Sequence, residues 1–324
     1  MKPLTARGRI AVVALAFLVL AGGAVGYTLR ASRDRQPTSA DSGFTLAQGG
    51  LYFRDTATGR IARRPLGAGS VGERRATGGP VCDRFYAAGG RALCLRRRAG
   101  VPVSAYAVVL DRRLREIRRI NLPGIPNRAR VSASGRMLSW TMFASGDSYA
   151  TSAFSTRTSI LDLRTGYLIK NMEDIQLTID GRRRYAPDVN YWGVTFARDD
   201  NRFYATVSTG GRTYLVEGDM RKWSARALRS NVECPSLSPD NTRIAFKKKV
   251  SDDPRAPWRL HVLDLSTMRE RPLAERHSVD DQAAWLDDRT IAYSRGGDIW
   301  TVPADGSGAP RLRVPDATSP TTPG

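Results

Sequence analysis

Few side chains in this sequence could carry chemistry. The chain has only two histidines, His261 and His277. His277 precedes Asp280 and Asp281, and those three groups could reach a cation, but their spacing matches no zinc or calcium signature. His261 sits within Leu260-His261-Val262-Leu263, where a packed strand histidine is expected rather than a catalyst. Paired carboxylates could act as acid and base, and pairs occur at Asp199–Asp200, Asp252–Asp253 and Asp287–Asp288. Two of these pairs fall in a recurring polar turn, where aspartate bonds the backbone and needs no catalytic explanation. No Cys-x-x-Cys pair, Gly-x-x-x-x-Gly-Lys phosphate loop, His-Glu-x-x-His or Gly-x-Ser-x-Gly stretch is present. The reading is therefore no catalytic residue, no metal and no cofactor.

The charge points to binding. Lys and Arg number 51 against 31 Asp and Glu, a net charge of +20, and such a field favours anionic partners. Three basic runs stand out: Arg96-Arg97-Arg98, Lys247-Lys248-Lys249, and Arg182-Arg183-Arg184 followed by Tyr185. Arginine forks suit carboxylates and phosphates, whereas runs of charge in loops are also common as plain solvated surface. Tyr191 and Trp192 lie close to the third run. Nucleic acid is a poor partner, since there is neither a basic helix nor an array of stacking aromatics.

The elements that must position these residues announce themselves as a repeat. Ser238-Pro-Asp-Asn-Thr-Arg-Ile-Ala-Phe246, Trp285-Leu-Asp-Asp-Arg-Thr-Ile-Ala-Tyr293 and Ser132-Ala-Ser-Gly-Arg-Met-Leu-Ser-Trp140 each read as a polar turn followed by an apolar strand. Anchors at Gly90, Gly135, Asp200, Asn241 and Asp288 are about 45, 65, 41 and 47 residues apart, the period of a four-stranded propeller blade with one insertion of about twenty residues. Alternating strands closed by Asp, Thr and Gly follow, as in Leu51–Gly59, Ser159–Gly166 and Asp298–Gly306. Units are expected near 277–314, 231–273, 190–229, 127–173 and 77–120, plus a truncated one near 44–66 that lacks its first strand. In such units the loops after second strands share a face with the blade-to-blade connections, so the three basic runs are expected to gather there. Residues 315–324, rich in Pro and Thr, read as a disordered C-terminal tail.

These phrases, best at Ser238–Phe246 and Trp285–Leu312, resemble the TolB-like six-bladed β-propellers, over roughly residues 44–314. The resemblance implies an all-β propeller. It does not extend to the α/β domain that precedes the propeller in TolB, nor to the hydrolase domain of prolyl-oligopeptidase relatives, so neither activity is carried over.

Before the propeller, residues 1–9 form a short basic tail and Ile10 to Leu29 is an uncharged stretch of about twenty residues, long enough to span a bilayer. We read residues 10–29 as a transmembrane signal anchor, with a cleaved signal peptide as the alternative, and residues 30–43 as a flexible stalk. Either reading exports the propeller. Cys82 and Cys94 are symmetric about Ala88 in the first turn of the second blade; placed opposite one another on a hairpin, they are predicted to form a disulfide. Cys234 is expected to be a buried thiol. The sequence thus describes a membrane-anchored, extracytoplasmic propeller that binds a protein or an anionic envelope component. A ligand-sensing or lectin-like module is the alternative, and an enzyme using carboxylates of the central channel is a more distant one.

Overall fold

The computed structural model describes residues 15–23, 25, 39–66, 75–98, 104–144 and 155–323. The chain divides into two units, residues 1–38 and 39–324. In the first, residues 15–23 and Val25 are helical. Among the described residues no helix is long and apolar enough to cross a membrane. The remainder of the expected span, the tail 1–9 and residues 30–38 lie outside the described residues.

The second unit consists of six sheets. Blade two contains Arg84–Ala88, Arg91–Arg98, Ser104–Leu110 and Glu116–Leu122, in that order from inside to outside. Blade three contains Gly124–Val131, Met137–Ala144, Thr156–Asp162 and Leu168–Ile169. Blade four contains Asn190–Phe196, Arg202–Thr209, Arg212–Asp219 and Ser224–Ser230. Blade five contains Glu233–Leu237, Arg243–Lys249, Trp258–Asp264 and Glu270–Pro272. Blade six contains Ala284–Trp285, Thr290–Arg295, Asp298–Pro303 and Arg311–Val314. The first strands of successive blades touch one another all the way round, which makes the ring.

Blade one is assembled from both parts of the sequence. Its second and third strands are Leu51–Asp55 and Arg60–Arg64, its outer strand is Ala76–Val81, and its inner strand is Ala317–Thr321. This corrects two expectations. The segment 315–324 is not a disordered tail, because Thr321 pairs with Tyr52 and Thr318 with Arg54. Likewise the strand at 76–81 closes blade one and does not open blade two. Pro320 is tolerated because an inner strand has one open edge, where a missing N–H breaks no ladder bond.

Each sheet packs on both faces against a neighbour, so second strands read as continuous apolar runs. Leu93, Cys94 and Leu95 are all buried. Outer strands alternate instead, as Glu116–Leu122 does. The core is accordingly split into six wedges, one at each blade junction. Trp140 fills the wedge between blades two and three, and Trp285 that between five and six.

The recurring polar turns have a physical role at these junctions. Ser134 of blade three donates to both carboxylate oxygens of Asp200 in blade four, at 2.9 and 2.7 Å. The Arg198 amide donates to Asn241 Oδ1 at 2.9 Å, and the Asp240 amide donates to Asp288 Oδ1 at 2.9 Å. Between blades two and three the turns touch backbone to backbone. A Cβ on Gly89 would sit 2.3 Å from the Gly135 nitrogen, so that turn requires glycine for space as well as for its φ of +53°. The repeat therefore records a chain of turn-to-turn locks.

Residues 39–43, expected to be part of a stalk, belong to the propeller unit. The Asp41 amide donates to Gly78 O at 2.7 Å, Asp41 pairs with Arg60, and Phe44 is buried edge-on against Tyr52.

Cys82 and Cys94 form the disulfide, with Cα atoms 5.4 Å apart. The geometry differs from the expected hairpin pair. The ladder of blade two sets Phe85 opposite Cys94, so its centre falls between Gly89 and Gly90. Cys82 instead lies in the connection from blade one, and the bond staples that connection to the second strand of blade two. Its sequence separation is 12, for which loop-closure entropy gives about 3 kcal/mol. Cys82→Ser combined with Cys94→Ser is expected to lower stability by about that amount, measured as a shift of the denaturant midpoint against the oxidised protein. Coincident midpoints would show that the bond contributes nothing.

Candidate functional site

The three basic runs have different fates. Lys247 points inward, with its side chain 4% exposed. Its Nζ is 2.5 Å from Asp280 and 3.7 Å from Glu233, and it lies 4.2 Å from the centre of the Trp258 ring. Lys248 pairs with Glu270, and Lys249 with Asp252 at 2.7 Å. Arg97 pairs with Asp83 at 3.1 Å, and Arg96 lies 3.7 Å from Glu116. Arg98 sits beside Tyr106. These two runs end second strands instead of opening the loops that follow, and carboxylates from neighbouring strands and loops occupy most of their charge.

Arg182, Arg183 and Arg184 do not join them at a blade-to-blade loop. The insertion before blade four folds as a hairpin, Gln176–Ile179 with Arg182–Arg184, whose first strand adds in parallel to Ser224–Ser230. Blade four thereby becomes six-stranded, and the arginine run is its outermost strand. Arg184 donates from Nε to Thr209 Oγ1 at 3.0 Å and lies 3.5 Å from Asp188. The Arg182 and Arg183 side chains are exposed and have no ion-pair partner among the described residues. Tyr185, next in line, is 96% exposed. Of the proposed residues, Arg182, Arg183 and Tyr185 are thus exposed along this outer edge, with Arg182 and Arg183 on opposite faces of the strand. Tyr191 and Trp192 belong to the buried inner strand and do not extend this surface.

Toward the axis the inner strands carry a mixed cluster that the sequence did not reveal. Arg84, Arg128 and Arg130 line a cavity of about 30 Å³ with Asp281 and Gln282, room for about one water. Asp280 faces Lys247 and, at 3.7 Å, Arg128. Asp281 accepts the Ser294 amide at 3.1 Å. Arg130 donates to Ala283 O at 3.1 Å and lies 4.3 Å over the Tyr86 ring. Burial pushes the Glu233 carboxyl up, and nearby Lys247 only partly offsets this. The axial carboxylates are thus set among cations.

The possible cation set also separates. His277 turns away from Asp280 and meets Glu275, its Nδ1 2.8 Å from Oε1. Glu275 is wholly buried and accepts from the Tyr293 hydroxyl at 2.5 Å and from Arg295 at 3.0 Å. No group of residues that could hold a metal ion occurs among the described residues. His261 is buried in its strand beside Phe246; burial lowers its pKa to about 4, against the pull of Glu270. Of the acidic pairs, Asp199 accepts the amides of Asn201 and Arg202 within its own turn, and Asp200 and Asp288 serve the turn locks. Asp252 pairs with Lys249 and Asp253 caps the Arg255 amide.

This architecture, six radial blades with the ring closed by a C-terminal strand, is that of a six-bladed β-propeller. Its fold is TolB-like: over 85% of this chain it superposes on TolB from Acinetobacter baumannii with a TM-score of 0.56 at 15% identity, a match covering 66% of that chain. A chain in a nidogen/laminin complex superposes over 85% of this chain and 98% of its own, with a TM-score of 0.55 at 12% identity. At these identities the likeness concerns the fold. No protein-family profile matches the sequence, and no curated protein matches it either.

Proposed function

We propose that this chain is a non-catalytic binding propeller, held at the extracytoplasmic side of a membrane through residues 10–29, whose partner is an acidic protein segment or another anionic envelope component. The observation that carries the reading is the outer strand of blade four. It places Arg182, Arg183 and Tyr185 outward, with no carboxylate committed to the first two among the described residues. An open strand edge bearing uncompensated arginines can take an extended anionic partner by backbone pairing and guanidinium contacts. The chain in the nidogen/laminin complex is a propeller of similar shape within a protein complex, which fits such a role. The disulfide agrees with export. The absence of catalysis is supported by the axial carboxylates, whose neighbours are Lys247, Arg128 and Arg84.

The test is retention on immobilised poly-L-glutamate in a salt gradient. Arg182→Glu with Arg183→Glu is expected to weaken binding about tenfold near 0.1 M salt and to elute earlier. Arg112→Glu with Arg113→Glu, an equal change of charge on exposed residues of blade two, is expected to have a much smaller effect. Equal losses for both pairs would mean that only total charge matters and would remove the hairpin from the site.

A further inference from the structure

A second surface lies on the side of the molecule formed by the polar turns, between blades three and four. There the turn after Asp162, the turn at Asp199–Asn201 and the turn at Asp219–Trp223 enclose a groove of about 490 Å³, within the usual size range of small-molecule sites. Its apolar wall comes from Met137, Ile169, Met220 and Trp223, with Tyr167 at the rim. Tyr167 is 65% exposed, an unusual amount of uncovered aromatic surface beside a concavity. Trp223 is fixed by its Nε1–H, which donates to Asp174 O at 3.2 Å.

The polar groups of the groove divide by charge. Every carboxylate in it is already engaged. Asp162 takes a two-pronged contact from Arg136, at 2.8 and 2.6 Å. Asp199 bonds its own turn and Arg202 Nε at 2.9 Å. Asp200 holds Ser134 of the neighbouring blade, and Asp219, at the end of the groove, accepts from Asn201 at 3.0 Å. The cations divide differently. Arg136 is occupied by Asp162, whereas Arg164 and Arg221 contribute only backbone amides to bonds, and their exposed guanidinium groups have no acceptor among the described residues. The groove therefore combines an apolar wall with two uncommitted positive forks and no uncommitted negative charge.

We infer that this groove binds a small amphipathic organic anion, with an aromatic or aliphatic body against Trp223, Tyr167 and the methionines and a carboxylate or sulfonate head at Arg164 and Arg221. The site is separate from the arginine strand of blade four, and neither needs the other.

The probe is 8-anilinonaphthalene-1-sulfonate, titrated by fluorescence against the full chain in its native state. Saturable one-to-one binding is expected. Arg164→Glu with Arg221→Glu is expected to weaken it about tenfold or more, because two charge-assisted contacts become repulsive. Tyr167→Ala is expected to weaken it about threefold through lost apolar contact. The altered side chains are exposed, so unchanged thermal melting should accompany both variants. The uncharged analogue N-phenyl-1-naphthylamine should bind more weakly and be indifferent to the charge reversal. Displacement of the probe by 4-phenylbutyrate supports a small-molecule site. Displacement by poly-L-glutamate but not by 4-phenylbutyrate would overturn it in favour of charge alone, and so would equal binding of the neutral analogue. Probe binding unaffected by both groove variants would also overturn it. Arg182→Glu with Arg183→Glu should leave the titration unchanged, so the fate of this site and that of the hairpin are read independently.

Discussion

A chain ending at Asp316 is expected to lose its cooperative melting transition. The truncation removes Ala317–Thr321, the inner strand of blade one, and with it the ladder to Leu51–Asp55. Ala317 and Thr321 are buried, and Ala317 belongs to the wedge between blades six and one. The Thr321 hydroxyl bonds Ala87 O at 2.7 Å, and the Gly89 amide donates to Pro323 O at 3.0 Å, so the same segment also holds blade two. Without it two apolar blade faces meet water and no other strand can replace it. The loss is expected to exceed about 5 kcal/mol, comparable with the whole stability of many domains. Circular dichroism on heating measures it. A synthetic peptide of residues 315–324 added in trans should restore part of the transition. A truncated chain that melts within a few degrees of the full one would refute this manner of closure.

The second large effect is expected at Glu275. Its side chain is completely buried in the wedge region between blades five and six, where the Tyr293 hydroxyl, Arg295, the His277 amide and the His277 ring all converge on it. Arg295 in turn lies 4.0 Å over the Trp300 ring. Glu275→Ala leaves the Arg295 charge without its buried counter-ion, at a cost of about 3–5 kcal/mol. Tyr293→Phe removes a single donor and is expected to cost about 1–2 kcal/mol. The acid dependence has a defined sign. Burial pushes the Glu275 carboxyl up, but the Tyr293 and His277 hydrogen bonds and the Arg295 charge outweigh it, so its pKa lies below the ordinary glutamate value. The stabilisation is then fully present above the unfolded-state pKa of about 4.3 and is lost as pH falls through the lower folded-state value. Denaturant curves for native protein and Glu275→Gln should therefore lie far apart at neutral pH and approach one another as the acid limit is reached. A separation that stays constant with pH would show that the ionised carboxylate is not what stabilises this site.

The turn phrases made the ring legible because each performs the same local task, closing a hairpin and bonding the next blade, and a repeated task leaves a repeated spelling. Ser134, Asp200, Asn241 and Asp288 are readable for that reason. The closing strand was not, since its proline and threonines suit an open inner edge and carry no hydrophobic rhythm. Cys82 and Cys94 were correctly paired from a symmetry that the ladder of blade two does not have; spatial proximity came from the blade connection instead. The basic runs were visible, but their partners were not, because Asp280, Glu270 and Glu116 lie on other strands and loops. Arg182–Arg184 showed an insertion without showing where it docks, since parallel addition to an outer strand has no local signature. The groove at Tyr167 and Trp223 arises from three turns of two blades, none of which is unusual alone. The membrane anchor proposed at 10–29 rests on the uncharged run of the sequence alone.

The pairing of Tyr52 with Thr321 also fixes an order of events. Five blades draw their strands from nearby sequence and can form while the polypeptide is still being made, but the first must wait for a segment some 260 residues downstream. Until then its second strand presents an unguarded backbone, a template for another nascent copy. Assembly of the ring is thus timed by Ala317–Thr321, and any factor that shields Leu51–Asp55 until that strand arrives would protect the stage at which misassembly is most costly.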